Sequence, residues 1–73
     1  MTTKDCIKLF EDIREQYLER LSKHNANAAA CDRDENWVEY MTERTMQAYC
    51  RGCVQTYDTV LTTLRAGVVS DET

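Results

Sequence analysis

MQAYCRGCVQTYDTVLTTL, residues 46–64, is the stretch that decides the fold. Its apolar residues recur alternately four and three positions apart, which is the spacing of a coiled-coil seam: Met46, Cys50, Cys53, Tyr57, Val60 and Leu64. The pattern keeps its phase through Gly52, and a helix that broke there would have no reason to preserve it. A single glycine inside a helix costs about 1 kcal/mol, which packing along the seam can offset. The stretch therefore predicts one continuous helix.

Helical character extends on both sides of this seam. The second helix is predicted to begin at about Asp34 and to end near Arg65. Upstream, a first helix is predicted from Thr3 to about His24, because apolar residues recur there at helical spacing: Ile7, Phe10, Ile13, Tyr17 and Leu21. Thr2 or Thr3 can cap its start.

The connection between the helices is less sharply marked. Asn25 and Asn27 are suited to end the first helix, because asparagine tolerates the left-handed conformation found there. The alanines that follow could instead extend the helix by a turn. Asp32 and Asp34 are both candidate caps for the second helix, and Asp32 with Glu35 has capping-box spacing.

The composition predicts an all-α chain. The 73 residues include no proline and only two glycines, Gly52 and Gly67, so few residues suit the tight turns of a sheet. A chain of this length forms at most one domain, and we expect residues 1–73 to form a single small helical one. Such a chain buries only about 60% of its unfolded surface, so a partner, a metal or crosslinks would add stability.

A mismatch in helix length leads to a prediction about assembly. The first helix is about 30 Å long and the second about 48 Å, so an antiparallel hairpin leaves the second half of the long helix without a partner. We expect a homodimer to bury that half, forming a helical bundle whose interface consists of Met46, Tyr57, Val60, Leu61 and Leu64. The alternative is a break at Gly52, which would give a three-helix bundle.

Charge and hydropathy disfavour several classes of function. The formal net charge of −4 argues against nucleic acid as a partner, because nucleic-acid binders usually carry a basic face, and against an anionic membrane surface. No stretch approaches the ~20 apolar residues of a membrane span. The first residues, MTTKDCIKLF, lack the basic flank and apolar run of a signal peptide, so we expect a cytoplasmic protein with reduced thiols.

The cysteines allow two interpretations. Cys50 and Cys53 have CxxC spacing, and the expected hairpin places Cys6 opposite them, so three thiols could bind zinc or carry redox chemistry. However, zinc knuckles place their CxxC in a turn beside a second pair, and a thioredoxin-like site requires a preceding strand. Free cysteine is among the most frequently buried residues, so we interpret the pair as part of the packed seam and predict no cofactor or metal.

No catalytic arrangement is evident, and we predict that the chain is not an enzyme. His24 is the only histidine, and it has no paired serine or cysteine at a recognisable spacing. Trp37 and Tyr40 are expected to be exposed aromatics, and because aromatic residues are enriched at interface hot spots, they are the candidate partner-binding residues. Packing against the first helix is an equally good explanation for them.

These observations favour a small acidic helical protein that acts by binding another protein, as an inhibitor, adaptor or assembly factor. Its size and acidity resemble those of accessory proteins of phages and mobile elements, which is an analogy rather than a derivation. The alternative is a zinc- or redox-dependent protein that uses Cys6, Cys50 and Cys53. A DNA-binding regulator is least favoured, because no basic recognition helix is present.

Overall fold

The computed structural model is an antiparallel hairpin of two long helices. It describes the backbone of residues 2–72 and the side chains of residues 2–68. Helix α1 spans Thr3–Arg33 and helix α2 spans Trp37–Glu72, and the described residues include no strand. The predicted all-α hairpin is confirmed. The three-helix alternative is wrong, because α2 passes through Gly52 without interruption.

The start of α1 is held by a capping box. The Oγ1 atom of Thr2 accepts a hydrogen bond from the Asp5 backbone N–H at 3.2 Å, and the Asp5 carboxylate accepts one from the Thr2 N–H at 2.9 Å. These bonds satisfy two backbone donors that a helix start leaves unpaired. The Thr2 backbone N–H and then the Thr2 hydroxyl lower the pKa of Asp5, because hydrogen bonds to the carboxylate favour its charged form. The cap predicted at Thr2 is confirmed.

Helix α1 runs nine residues beyond His24, so its predicted end is wrong. The added segment packs against α2: Ala28 is only 5% exposed, and Asn25 accepts a hydrogen bond from Gln47 at 2.6 Å. These tertiary contacts offset the weak helix propensity of asparagine. With 31 residues in α1 and 36 in α2, the helices are about 46 Å and 54 Å long, so the expected length mismatch is largely absent.

The end of α1 is a Schellman motif built around a residue other than glycine. The backbone N–H of Glu35 donates to Asp32 O at 3.2 Å, and that of Asn36 donates to Cys31 O at 2.9 Å. Glu35 occupies the left-handed position of the motif, with φ of 55°. A side chain with a Cβ adopts this conformation only at a cost, because the Cβ approaches the following carbonyl oxygen.

Helix α2 is capped by Asn36 rather than by either predicted aspartate. The side-chain Oδ1 of Asn36 accepts from the Glu39 backbone N–H at 3.4 Å, and its carbonyl accepts from the Tyr40 N–H at 2.9 Å. Asp32 still lies in α1, and Asp34 is the C-cap of that helix. The caps predicted at Asp32 and Asp34 are therefore wrong, because α1 continues through the residues that were expected to form the connection.

Aromatic and apolar contacts hold the half of the hairpin that lies away from the connection. The Tyr57 ring packs on Phe10 and Tyr17, with centroid distances of 5.8 Å and 5.9 Å. Leu61, one turn further along α2, is 2% exposed and is one of the most buried side chains. This half of the seam resembles the hydrophobic core of a coiled coil.

The half near the connection is polar instead. His24 Nδ1 and Glu43 Oε2 lie 2.5 Å apart, and the buried Gln47 amide bonds to both Asn25 and Arg44. Among the described side chains, no buried polar atom lacks a hydrogen-bond partner. The polar half therefore avoids the cost of unsatisfied buried groups.

The buried face of α2 is rotated slightly from the predicted seam. Cys50 is 1% exposed and Tyr57 is half-buried, as the seam requires. The centre of the contact also includes Gln47 and Leu61, whereas Met46 is 37% exposed. The contact positions are still spaced three and four apart, so the coiled-coil period is right although the phase is shifted.

Candidate interaction surface

Helix α2 presents one continuous exposed strip on the side away from α1, which we call the outer face of α2. Helical geometry places its members on one side of the helix, and all of them are exposed. They are Trp37, Val38, Met41, Thr45, Ala48, Tyr49, Gly52, Thr56, Thr59 and Thr63. None of these residues carries a charge, although 30% of the chain is charged.

The charged residues of α2 lie on the other half of the helix. Between Trp37 and Val68 they are Glu39, Glu43, Arg44, Arg51, Asp58 and Arg65. Three of them bond to α1: Glu43 to His24, Asp58 to Arg14 at 2.5 Å, and Arg65 to Glu11 at 3.2 Å. Half of the charged residues of α2 therefore contact α1, and none of the six is a member of the outer face.

The corresponding outward side of α1 has the opposite character. Many of its exposed positions are charged: Lys4, Lys8, Asp12, Glu15, Glu19 and Lys23. Lys8 and Asp12 form an i,i+4 ion pair at 2.7 Å. A face of this kind suits water, whereas an uncharged helix face with exposed apolar side chains is typical of a surface that another molecule covers.

The part of the outer face nearest the connection has the largest exposed apolar side chains. Val38 is 79% exposed, Met41 62% and Trp37 54%. The Trp37 indole meets the Tyr40 ring edge-on, with 5.8 Å between centroids and an interplanar angle of 88°. Tyr40 is half-buried. The two predicted partner-binding residues thus form one aromatic pair, and Trp37 is its exposed member.

Four threonine hydroxyls of the outer face are already hydrogen-bonded within α2. The hydroxyl groups of Thr45, Thr56, Thr59 and Thr63 donate to the backbone carbonyl one turn earlier, at 2.9 to 3.2 Å. Each hydroxyl therefore has a partner within its own helix. When another molecule covers this face, these donors keep their hydrogen bonds, so burying them leaves no donor unsatisfied.

A shallow groove of about 500 Å³ lies beside the middle of the outer face. It is lined by Tyr17, Ala48, Tyr49, Gly52, Cys53, Thr56 and Tyr57. Tyr49 forms one wall and is 55% exposed. Hydrogen bonds to Tyr17 and Cys53 raise the pKa of the Tyr49 hydroxyl to about 12, because both stabilise the neutral phenol.

The residues predicted to form a dimer interface differ in how far they are buried within the single chain. Leu61 is fully buried against α1, and Tyr57 packs on α1 aromatics within the same chain. Val60 and Leu64 are half-buried, and Met46 is exposed. The expectation that this half of α2 has no partner within the chain is therefore wrong, because α1 reaches it. Dimerisation itself stays a prediction.

The three cysteines of the alternative hypothesis do not converge. Phe10 lies level with Tyr57, so Cys6 is one turn beyond that point and Cys53 one turn before it, about 12 Å apart along the axis. Within the described residues, no three His, Cys, Asp or Glu side chains are grouped as metal ligands. The expectation that Cys6 lies opposite Cys50 and Cys53 is wrong, because it assumed a shorter α1.

The remaining thiol, Cys31, lies near the connection. Partial burial raises its pKa, and the nearby carboxylates of Glu43, Glu39 and Asp34 add to this effect. A raised pKa reduces the thiolate fraction at neutral pH and with it the reactivity of the sulfur. The environment of Cys31 is therefore that of an unreactive thiol.

A second groove, of about 310 Å³, runs along the side of the hairpin. Its lining includes two ion pairs that join the helices, Arg14 with Asp58 and Arg65 with Glu11. The groove is best explained as the side of the helix contact.

Sequence reasoning missed the charge-free outer face and the role of His24. Helical positions alone would have shown both: the charges of α2 fall on one half of the helix, and His24 is in phase with Tyr17 and Leu21.

In the part of the chain that the structure describes, neither helix has an apolar stretch long enough to cross a membrane. No protein-family model matches this chain, and no curated protein or solved structure matches it at a significant level of similarity.

Proposed function

We propose that this protein acts by binding another protein through the aromatic pair Trp37 and Tyr40. The observation that carries the proposal is the 54% exposure of Trp37, a residue large enough to contribute substantially to a core when buried. Its ring is oriented by the edge-on contact with Tyr40. A tryptophan held in one orientation loses little conformational entropy on binding, which favours its use as an anchor.

The neighbours of the pair define the chemistry of the partner. Val38 and Met41 extend the apolar area around Trp37, and Met adapts its shape to irregular surfaces. Glu39 supplies a charge at the rim. The matching surface is an apolar pocket or cleft on another protein, with polar or basic residues around its edge.

Binding of this kind needs a scaffold and one exposed patch, which suits an inhibitor, adaptor or assembly factor rather than an enzyme. Among residues 2–68, no three metal-ligating side chains are grouped, which supports this proposal over a metal-dependent one. The proposal also includes a homodimer, because a single hairpin of this size leaves one face of α2 uncovered. The two parts share the exposed residues Val38 and Met41, but they are tested through different substitutions.

The test of partner binding compares matched variants. Tagged wild type, Trp37→Ala and Leu9→Ala would be used to capture proteins from the source cell, followed by identification by mass spectrometry and a Kd measurement with the purified partner. Leu9 is a suitable control because it is 44% exposed but lies on α1. An anchor residue contributes at least about 2 kcal/mol, so Trp37→Ala should weaken binding by about 30-fold or more.

The proposal predicts different results for the two variants. Leu9→Ala should bind with the affinity of the wild type, and circular dichroism should show that both variants remain helical. Equal affinity of Trp37→Ala and wild type for the identified partner would contradict the role of the aromatic pair.

A further inference from the structure

We propose that a second copy of this chain covers the outer face of α2, with the two α2 helices antiparallel and the Gly52 residues meeting at the twofold axis. The result is a four-helix bundle with the two α1 helices on the outside. This inference rests on the homodimer part of the proposed function. Because Trp37, Val38 and Met41 lie at one end of the outer face, a partner bound there and a second copy would compete for that end, and the test therefore uses Thr45 and Gly52. Its interface also differs from the one predicted from the seam.

The surface area of the hairpin is large for a folded monomer. The accessible surface is 5316 Å², whereas a compact monomer of 8.5 kDa has about 4650 Å². The excess, about 670 Å², arises because the molecule is a rod of 57 × 15 × 14 Å in which the two helices share one packed seam. A stable interface buries about 800 Å² on each partner, which is close to this excess. Contact with a second copy along α2 would therefore bury about the amount of surface by which the hairpin exceeds a compact monomer.

The outer face of α2 is complementary to the outer face of a second copy that runs antiparallel to it. With Gly52 opposite Gly52, the large side chains of one copy meet small side chains of the other: Met41 faces Thr63, and Val38 faces Ala66. Near the centre, Thr45 faces Thr59. A twofold interface requires this kind of match, because each residue pair occurs twice. A parallel arrangement would instead place Val38 and Met41 against their own copies and leave the threonine half loosely packed.

Gly52 has no structural purpose within a single chain. It lies in the middle of a regular helix, where glycine is less favourable than alanine, and its φ is not positive. Apart from Gly52, its two neighbours and the adjacent backbone of its own helix, no described atom lies within 4 Å of the position that a Cβ would occupy. A missing side chain on an exposed helix permits another backbone to approach closely. At the proposed twofold axis, that backbone is the second copy of α2.

The electrostatics of the face favour a second copy over a charged partner. Two copies that each carry a net charge of −4 would normally repel one another. The outer face has no charge, and the charged face of α1 lies on the far side of each hairpin. The threonine hydroxyls are bonded within α2, so burying them leaves no donor unpaired.

The experiment is sedimentation equilibrium of three purified proteins at roughly 10–100 µM, a range in which a specific dimer is populated and mass action can be followed. The wild type should have about twice the monomer mass of 8.5 kDa. Thr45→Arg places a charge in the middle of the face and should be monomeric, with its helical circular dichroism retained. Gln16→Arg adds the same charge to the exposed side of α1 and should remain dimeric.

Gly52→Ala provides a second test that does not depend on charge. In an isolated hairpin, alanine should stabilise the helix, because it is the better helix former. In the proposed dimer, the two added methyl groups separate the helices, and the dissociation constant should rise about tenfold or more. Unchanged or tighter dimerisation of Gly52→Ala would overturn the placement of Gly52 on the axis.

The outcomes separate this inference from the proposed partner binding. A wild type that sediments as a monomer, or a Thr45→Arg variant that remains dimeric, would overturn the inference while leaving the result for Trp37→Ala unaffected. Conversely, a dimer that Thr45→Arg disrupts would support the inference even if Trp37→Ala bound the partner normally.

Discussion

His24 of α1 and Glu43 of α2 join the two helices by a side-chain contact of 2.5 Å between Nδ1 and Oε2. The two side chains are only 22% and 16% exposed. Beside them, Gln47 donates to Asn25 at 2.6 Å. These positions would hold apolar residues in an ordinary coiled coil, and each polar pair is satisfied in one alignment of the helices. We infer that they select the register of the hairpin.

The His24–Glu43 contact leads to the first prediction. His24→Leu should lower the free energy of unfolding by about 1–3 kcal/mol, because it leaves the Glu43 carboxylate half-buried without its partner. The double variant His24→Leu/Glu43→Leu should recover most of the loss, because it removes both polar groups together. Urea unfolding at one fixed protein concentration measures both values. If the double variant is less stable than His24→Leu, the two residues do not act as a pair.

The left-handed residue in the connection leads to the second prediction. Glu35→Gly should raise the free energy of unfolding by about 0.5–1 kcal/mol, because glycine adopts a φ of 55° without steric strain. Asp34→Gly is the matched control: Asp34 has an ordinary φ of −87°, so glycine there should be neutral or destabilising. Thermal unfolding compares the two. Stabilisation by Asp34→Gly but not by Glu35→Gly would contradict the conformation of the connection.

The third prediction concerns the pH dependence associated with Tyr49. Its pKa is raised from 10.0 to about 12 by hydrogen bonds, first to Tyr17 and then to Cys53. The folded state therefore favours the neutral phenol. This contribution to stability is complete below pH 10 and is lost as the pH rises toward 12.

Two variants identify the residue responsible. Tyr49→Phe should remove this part of the alkaline loss of stability, and Tyr17→Phe should reduce it, because it removes the main hydrogen bond. Phenolate absorbance and unfolding by urea, each measured as a function of pH, report the titration and the stability. Identical alkaline behaviour of wild type and Tyr49→Phe would show that another group is responsible.

The fourth prediction is that Cys50 and Cys53 act through packing. Cys50 is 1% exposed and Cys53 is half-buried, so replacing both by alanine should lower the free energy of unfolding by roughly 1–3 kcal/mol while helical structure is retained. Serine at Cys50 should cost more, because its hydroxyl would be buried. Partner binding should persist in the alanine variant. Protein purified without chelator should contain no equimolar zinc, and one retained zinc per chain would contradict this interpretation.

The features that sequence reasoning predicted correctly depend on neighbouring residues. The N-cap at Thr2, one of the two candidate caps, depends on four consecutive residues and the geometry of one helical turn, although its capping box with Asp5 was not predicted. The continuity of α2 through Gly52 follows from a period that repeats every seven residues. Each of these can be read from a short segment, because helical hydrogen bonds and caps connect residues within about four positions.

The incorrect predictions involve contacts between distant residues. Asn25 was expected to end α1, yet its side chain accepts a hydrogen bond from Gln47, 22 positions away, and the helix continues. His24 was interpreted as a helix-end residue, but it is held by Glu43. Because α1 is longer than predicted, Cys6 lies away from Cys50, and Tyr57 and Leu61 have partners within their own chain.

The sequence by itself determined three features: the chain forms two long helices, the first begins at Thr3, and Gly52 does not break the second. It determined them because backbone hydrogen bonding and the spacing of apolar residues are local properties. Only the tertiary structure decided where α1 ends and which side of α2 faces it. Those features depend on small differences in packing and hydrogen bonding between residues far apart in the chain. The same packing pairs Glu43, Asp58 and Arg65 of α2 with α1 and leaves the neutral face from Trp37 to Thr63 exposed.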